Sequence, residues 1–284
     1  MIAGQPSATA ERAAIRRASH QLLDDPVVFS DPLALTILGP DLEAALRRDP
    51  RSFETPWSRP LRAFLAARSR YAEDALSHAV ERGVRQYVVL GAGLDTFAYR
   101  GASRSIGLHV FEVDCPATQE WKLARLLALG IPIASSVSFV SHDFETGDIA
   151  ASLAGSGFDA ARPAVFAWLG VTPYLTANAI HATLRSVARA GAEGSELVFD
   201  FCNPPSSLSR VGQRAFEGLA RRLRERGEPW LTFFEPSDLE RDVRQSGFSR
   251  LEILDPKEIH SRYFGARPDR LTVGLLGHLA HAHI

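Results

Sequence analysis

The sequence predicts an α/β fold built on a doubly wound, mostly parallel, seven-stranded Rossmann-like sheet. Three observations carry that expectation: short apolar runs alternate with helical patterns, the first run passes straight into a glycine turn, and the second ends on an acid. The runs lie at residues 87–90, 109–113, 137–140, 164–169, 196–201, 251–254 and 271–276. Each has the length of a strand, and the alternation with helices is the rhythm of βαβ units.

The intervening helices follow from their caps and stripes. Thr176 is placed to cap a helix whose Ala177, Ile180, Leu184, Val187 and Ala188 recur at helical spacing, and Gly191 ends it. Pro116 suits the first turn of another, where its missing N–H costs nothing, and Trp121, Ala124 and Ala128 are then the expected inner stripe. Ahead of the first strand, Leu61, Phe64, Leu65, Ala72, Ala75, Leu76 and Ala79 form an apolar stripe with Arg68 inside it. Residues 1–60 read as a helical cap, and 61–284 as the main domain. Within that domain, 203–235, where NPPSS precedes a charged helix, reads as a lid segment.

Composition narrows the function. A formal net charge of -1, from 32 basic and 33 acidic side chains, provides no field for a polyanion, so the expected partner is a small molecule and not nucleic acid. Cys115 and Cys202 are too few for a disulfide framework or a cysteine zinc site. No apolar run reaches signal-peptide or membrane-span length, and a cytoplasmic protein is expected, with no membrane partner. Among the nine histidines there is no HExxH and no convergent spacing with carboxylates, so no metal is expected. Neither a GxSxG elbow nor a Walker loop is present.

The strongest local signal is YVVLGAGLDTFAYR, a strand that enters Gly91, Ala92 and Gly93, where glycine lets backbone approach a ligand. A dinucleotide fingerprint would need a glycine at position 96, where Thr96 stands, and Asp95 would face the pyrophosphate. An NAD-dependent oxidoreductase is therefore the weaker alternative. S-adenosylmethionine (SAM) has no phosphate and carries an ammonium group that Asp95 suits. Asp114 closes the second strand 21 residues after Gly93, where a carboxylate can accept both ribose hydroxyls. Glu112, on the same face of that strand, is the competing acid. Asp143 and Phe144 follow the third strand and offer a hydrogen bond and an apolar wall to an adenine, although an Asp there is also a common turn residue. Arg68 inside an apolar stripe needs a partner, either the carboxylate of SAM or a protein acid.

Taken together, DP at Asp31 and Pro32, AARSRYAED, LGAGLDTFAYR, FEVDCP, the pair Asp143 and Phe144, and WLGVTPYL resemble the bacterial relatives of leucine carboxyl methyltransferase, a family of SAM-dependent O-methyltransferases. The resemblance implies that Arg68 holds the SAM carboxylate, Gly91 and Gly93 shape the cofactor loop, Asp114 takes the ribose, and Asp143 and Phe144 meet the adenine. In this chain the family's RT reads Arg68 and Ser69, and WLGVTPYL lacks the glutamate of the eukaryotic enzymes. Backbone carbonyls near Gly91 and Trp168, or Asp95, are then the expected contacts to the SAM amino group.

Other residues admit more than one reading. Trp168 ends a buried strand and is either core or a wall against the methionine part of SAM. Tyr174, after the fourth strand, either orients an acceptor oxygen or seals the core. Arg221, Arg222, Arg224 and Arg226, interleaved with Glu225 and Glu228, read as a solvated helix face. No general base stands out, which points to a carboxylate acceptor over a phenol, and a SAM-binding regulator without turnover is the non-catalytic alternative.

Overall fold

A computed structural model describes residues 7–55, 58–101, 107–225 and 227–284. Among these, seven strands form one sheet: β1 (Gln86–Leu90), β2 (His109–Asp114), β3 (Val137–Ser141), β4 (Ala164–Trp168), β5 (Glu196–Cys202), β6 (Arg250–Leu254) and β7 (Gly277–His283). Their order is β3-β2-β1-β4-β5-β7-β6, and only β7 runs antiparallel to its neighbours. The chain reverses direction across the sheet between β1 and β4, so the carboxyl ends of those strands open a crevice, the place where open α/β sheets bind ligands.

The last strand lies later than the sequence predicts. Residues 271–276 form a loop that buries Leu271 and Val273 but leaves Leu275 exposed, and the strand is the less apolar segment GHLAHAH. Its histidines find specific partners: His278 stacks on Phe201 with ring centroids 5.1 Å apart, and His281 meets Glu196 at 2.8 Å. Backbone pairing to both β5 and β6 decides the strand, outweighing side-chain hydropathy.

Helix α1 (Ala8–Leu23) is capped by Ser7, and α2 (Pro40–Arg48) follows; α3 (Ser58–Glu81) lies across the sheet with Ala63, Phe64, Ala67, Ala72 and Ala79 in the core. Arg62, buried in α3, forms paired hydrogen bonds of 2.8 and 3.0 Å with Asp24 and so clamps the end of α1 to α3. On the opposite face, α6 (Ala177–Ala190) is capped by Thr176 and ends at Gly191, as its sequence predicts. Between them in the chain lie α4 (Pro116–Ala128) and the short α5 (Ile149–Leu153); α7 (Arg210–Glu225), α8 (Pro236–Gln245) and α9 (Pro256–Tyr263) follow.

The inner stripe of α4 corrects the expectation. Thr118, Gln119, Lys122 and Leu126 are buried, Trp121 is half-buried, and Ala124 and Ala128 are exposed. Polar side chains lie inside because the sheet supplies partners. The Gln119 amide donates to the carbonyls of Glu112 and Val140 at 3.1 and 2.8 Å, and Lys122 Nζ stands 2.7 Å from Glu112. Glu112 also accepts from the Tyr99 hydroxyl at 2.9 Å. Burial pushes its carboxyl up, and Lys122 opposes that shift. Lys122→Met should therefore cost about 3–5 kcal/mol, because it strands a buried carboxylate, whereas Glu112→Gln combined with Lys122→Met should recover much of the loss. Urea denaturation of both variants checks this; equal losses would show that the pair contributes only volume.

Candidate active site

The crevice at the carboxyl ends of β1 and β4 is roofed by α1 and closed at one side by the segment after α7. Its empty space, counting the open mouth, is about 1030 Å³. The floor is Gly91, Ala92, Gly93, Leu94 and Asp95. The turn is held because the N–H groups of Gly91 and Ala92 both donate to the Val113 carbonyl, at 2.8 and 3.1 Å. Gly91 has φ +72°, and a Cβ there would collide with Val171. Only glycine is free of cost on both counts.

Asp114 stands on this floor at the end of β2. Its Oδ2 accepts from Gly93 N–H and its Oδ1 from Cys115 N–H, each at 2.7 Å, which leaves one lone pair on each oxygen for a ligand hydroxyl. Burial pushes its carboxyl up while those two N–H groups pull it down. Of the two acids, Glu112 is paired with Lys122 and Tyr99, and Asp114 lines the crevice. Asp95 also lines it, with one oxygen taken by Phe97 N–H at 2.8 Å. Thr96, at the third-glycine position, is buried and donates to Asp31 at 2.7 Å. Arg17 Nε lies 2.8 Å from the same Asp31, so the DP segment ties α1 to the glycine turn.

Arg68 reaches the crevice from α3, and its protein partner is Asp200 in β5, at 3.0 Å. The other oxygen of Asp200 accepts from Gly170 N–H. A Cβ on Gly170 would fall 2.5–2.9 Å from the guanidinium, so this glycine makes the room in which Arg68 lies. Asp200 escapes a reading of the sequence as an acid flanked by Phe199 and Phe201 in ELVFDFC; the signal was its position in a strand buried throughout.

The remaining predicted residues divide. Phe144 and Tyr174 line the crevice. Trp168 is fully buried between Phe144 and Phe199, outside the crevice, whose wall is formed by the neighbouring Ala167 and Leu169. Asp143 is exposed and closes its own turn, accepting from Glu145 N–H at 2.9 Å and from the Thr146 hydroxyl at 3.0 Å. His142 packs on Phe144 and meets Ser152 Oγ at 2.9 Å. Arg221, Arg222 and Arg224 are exposed, and Arg226 lies outside the described residues. Glu228, however, is buried and lines the crevice. It accepts from Thr9 N–H at 3.2 Å and from the Thr9 hydroxyl, so it joins the lid segment to the start of α1.

The donor set fits SAM: an acid with free lone pairs for a ribose, a guanidinium at the same floor for a carboxylate, and Phe144 as an apolar wall. The leucine carboxyl methyltransferase family model matches residues 10–188, which include most of α1, the glycine turn, Asp114 and Tyr174. The chain belongs to the leucine carboxyl methyltransferase family. It is a SAM-dependent methyltransferase, and that assignment decides between SAM and a dinucleotide. A Bacillus subtilis relative, YktD, is 28% identical over 99% of both chains. A Mycolicibacterium paratuberculosis relative is 34% identical over 75% of this chain and 73% of its own length. Both are named as candidate SAM-dependent methyltransferases. Among solved structures, a DUF574 family protein from Streptomyces avermitilis and a candidate methyltransferase from Thermobifida fusca each share the fold at a TM-score of 0.57, with 16% and 17% identity. The alignments cover 96% and 99% of this chain, and 96% of each of those chains.

Arg68→Met should weaken SAM binding by about 1.5–3 kcal/mol, the worth of a hydrogen bond to a charged group. Asp200→Asn is added in the same variant so that no buried carboxylate is left unpaired. Calorimetric titration reads the change. Unchanged affinity in the folded double variant would show that Arg68 serves Asp200 alone.

Proposed function

We propose that this methyltransferase methylates an oxygen, specifically the carboxylate of a small molecule. The supporting observation is the state of the groups around the crevice: no histidine lines it among the described residues, and its two phenols are Tyr87, in β1, and Tyr174, after β4. Burial pushes the Tyr174 hydroxyl above its ordinary value, so it stays protonated and serves as a hydrogen-bond donor, not a base. A phenol acceptor would need a base to ionise it, and a carboxylate needs none.

When bound, SAM supplies a methyl group already activated by its sulfonium. The chain's own residues then position and exclude. Arg68 and Asp114 hold the cofactor's two polar ends, Phe144 covers one wall, and Tyr174 directs the acceptor oxygen. Bound SAM would supply the methyl carbon to that oxygen and leave as the neutral thioether, so a carboxylate acceptor asks no residue of this chain to take up a proton. Phe216 of α7 packs with Trp230 and Phe233 at ring-centroid distances of 5.7–6.3 Å, and the Trp230 side chain reaches the Tyr174 hydroxyl, so this cluster offers an apolar surface for the acceptor's body. Small-molecule chemistry in the cytoplasm fits the two free thiols and the near-zero net charge.

The test is single-turnover methyl transfer at saturating SAM and carboxylate acceptor. The rate should stay nearly flat from about pH 6 to 8.5, since the acceptor is already ionised across that range. A tenfold rise per pH unit would overturn the carboxylate reading. Tyr174→Phe should slow the same reaction by about tenfold to a hundredfold, the loss of one orienting hydrogen bond to a charged group, without changing the shape of the profile.

A further inference from the structure

The crevice leaves unused a cluster at the opposite end of β5. Antiparallel pairing sets Glu196 directly across from His283, and His281, two residues earlier on β7, points to the same face. A carboxylate 85 residues away in the sequence is thus brought to a pair of imidazoles by strand register. Their ligand atoms all lie within 4.8 Å of one another. His281 Nε2 is 2.8 Å from Glu196 Oε2, His283 Nδ1 is 3.9 Å from Glu196 Oε1, and the two imidazoles stack at 4.4 Å.

We infer that Glu196, His281 and His283 form a binding site for a divalent transition metal of the zinc class. Two nitrogens and one carboxylate oxygen are a donor set that such ions accept, with the remaining position open to water. The site has the support that metal-bound histidines usually have, since the Nδ1 of His281 lies 3.5 Å from the Tyr71 hydroxyl, which leaves Nε2 to face the ion. The side chains are sheltered yet reachable, at 6%, 12% and 29% exposure for Glu196, His281 and His283. His78 of α3 and Arg82 just after it line the same hollow, with Arg250, Glu252 and Arg262 in the one beside it.

Arg82 pairs with Glu196 and is the ion's competitor, but its side chain is 54% exposed, and an exposed guanidinium leaves such a pair at little cost. An ion pair among Arg82, Glu196 and His281 would also account for the buried acid, and that reading gives His283 no part. The two readings separate on the variants. Zinc titration of the full chain by calorimetry, with metal content after dialysis, should give one equivalent per chain. His283→Ala and His281→Ala should each weaken binding by at least about 100-fold, beyond the ~10–100-fold usual for a supporting residue. Arg82→Ala should bind zinc at least as tightly as the wild type. Zinc should raise the melting temperature of the wild type and leave that of the His281→Ala/His283→Ala variant unmoved, with retained SAM binding showing that the variant is folded. No stoichiometric zinc in the wild type, unaltered binding in His283→Ala, or lost binding in Arg82→Ala would each overturn the site.

Discussion

A buried carboxylate in the fifth strand is the constraint around which the crevice is arranged. Asp200 lies inside a strand that is buried throughout, and such a group is tolerated only when it is paired and hydrogen-bonded. Its partners come from two different layers: the guanidinium of Arg68 in α3 and the N–H of Gly170 after β4. Satisfying one acid therefore fixes the height of a helix over the sheet and the path of the loop that walls the crevice. Gly170 is where the two requirements meet, because its missing side chain is the space the guanidinium occupies. Arg68 is consequently held in one place before any ligand arrives, and a preorganised fork costs less to use than a free one.

The roof follows the same logic with weaker links. Helix α1 touches the glycine turn so closely that a Cβ on Gly93 would sit 3.0 Å from that of Ala10. Asp31 gathers Arg17 and the Thr96 hydroxyl, and Arg17 also reaches the carbonyl of Leu94. The helix is thus tied to the turn at its middle, while its first residues are tied to the lid segment by Glu228. The first link is buried, whereas Ser7 and Thr9 stand at the mouth. The roof is therefore attached at two places, a buried one at the glycine turn and a second at the Thr9 and Glu228 contact on the crevice wall.

The parts of this design that were legible in the sequence are those that one segment decides alone. The strand–glycine turn, the acid closing β2 and the capped helix after Thr176 each carry their physical reason within about a dozen residues. What escaped depends on partners far along the chain. Asp200 looked like a lone acid in a hydrophobic strand until Arg68, 132 residues away, supplied its counter-charge. Glu228 belonged by spacing to an exposed charged face, and only the fold brings Thr9 to it across 219 residues. Lys122 could not be called inward-facing without Glu112, nor GHLAHAH a strand without β5 on one side and β6 on the other. Apolar periodicity predicts which side chains avoid water, and it is silent about polar ones whose partners lie elsewhere.

The charges of the crevice show why this sheet takes a sulfonium donor and not a phosphate-bearing one. Asp95, Asp114 and Glu228 line it against Arg17 and Arg68, and both arginines are already paired with further acids, Asp31 and Asp200. The positive charges are thus largely spent inside the protein, while Asp114 lines the crevice with a lone pair left on each oxygen. A pyrophosphate would meet carboxylates where a dinucleotide-binding turn offers bare N–H groups, because Asp114 occupies the N–H of Gly93 and Asp95 occupies that of Phe97. A cation meets the reverse: an acidic, partly desolvated floor in which its charge is stabilised more than in water. The same threonine that breaks the dinucleotide pattern holds the N-terminal segment in place, so donor selection and roof attachment are properties of one turn.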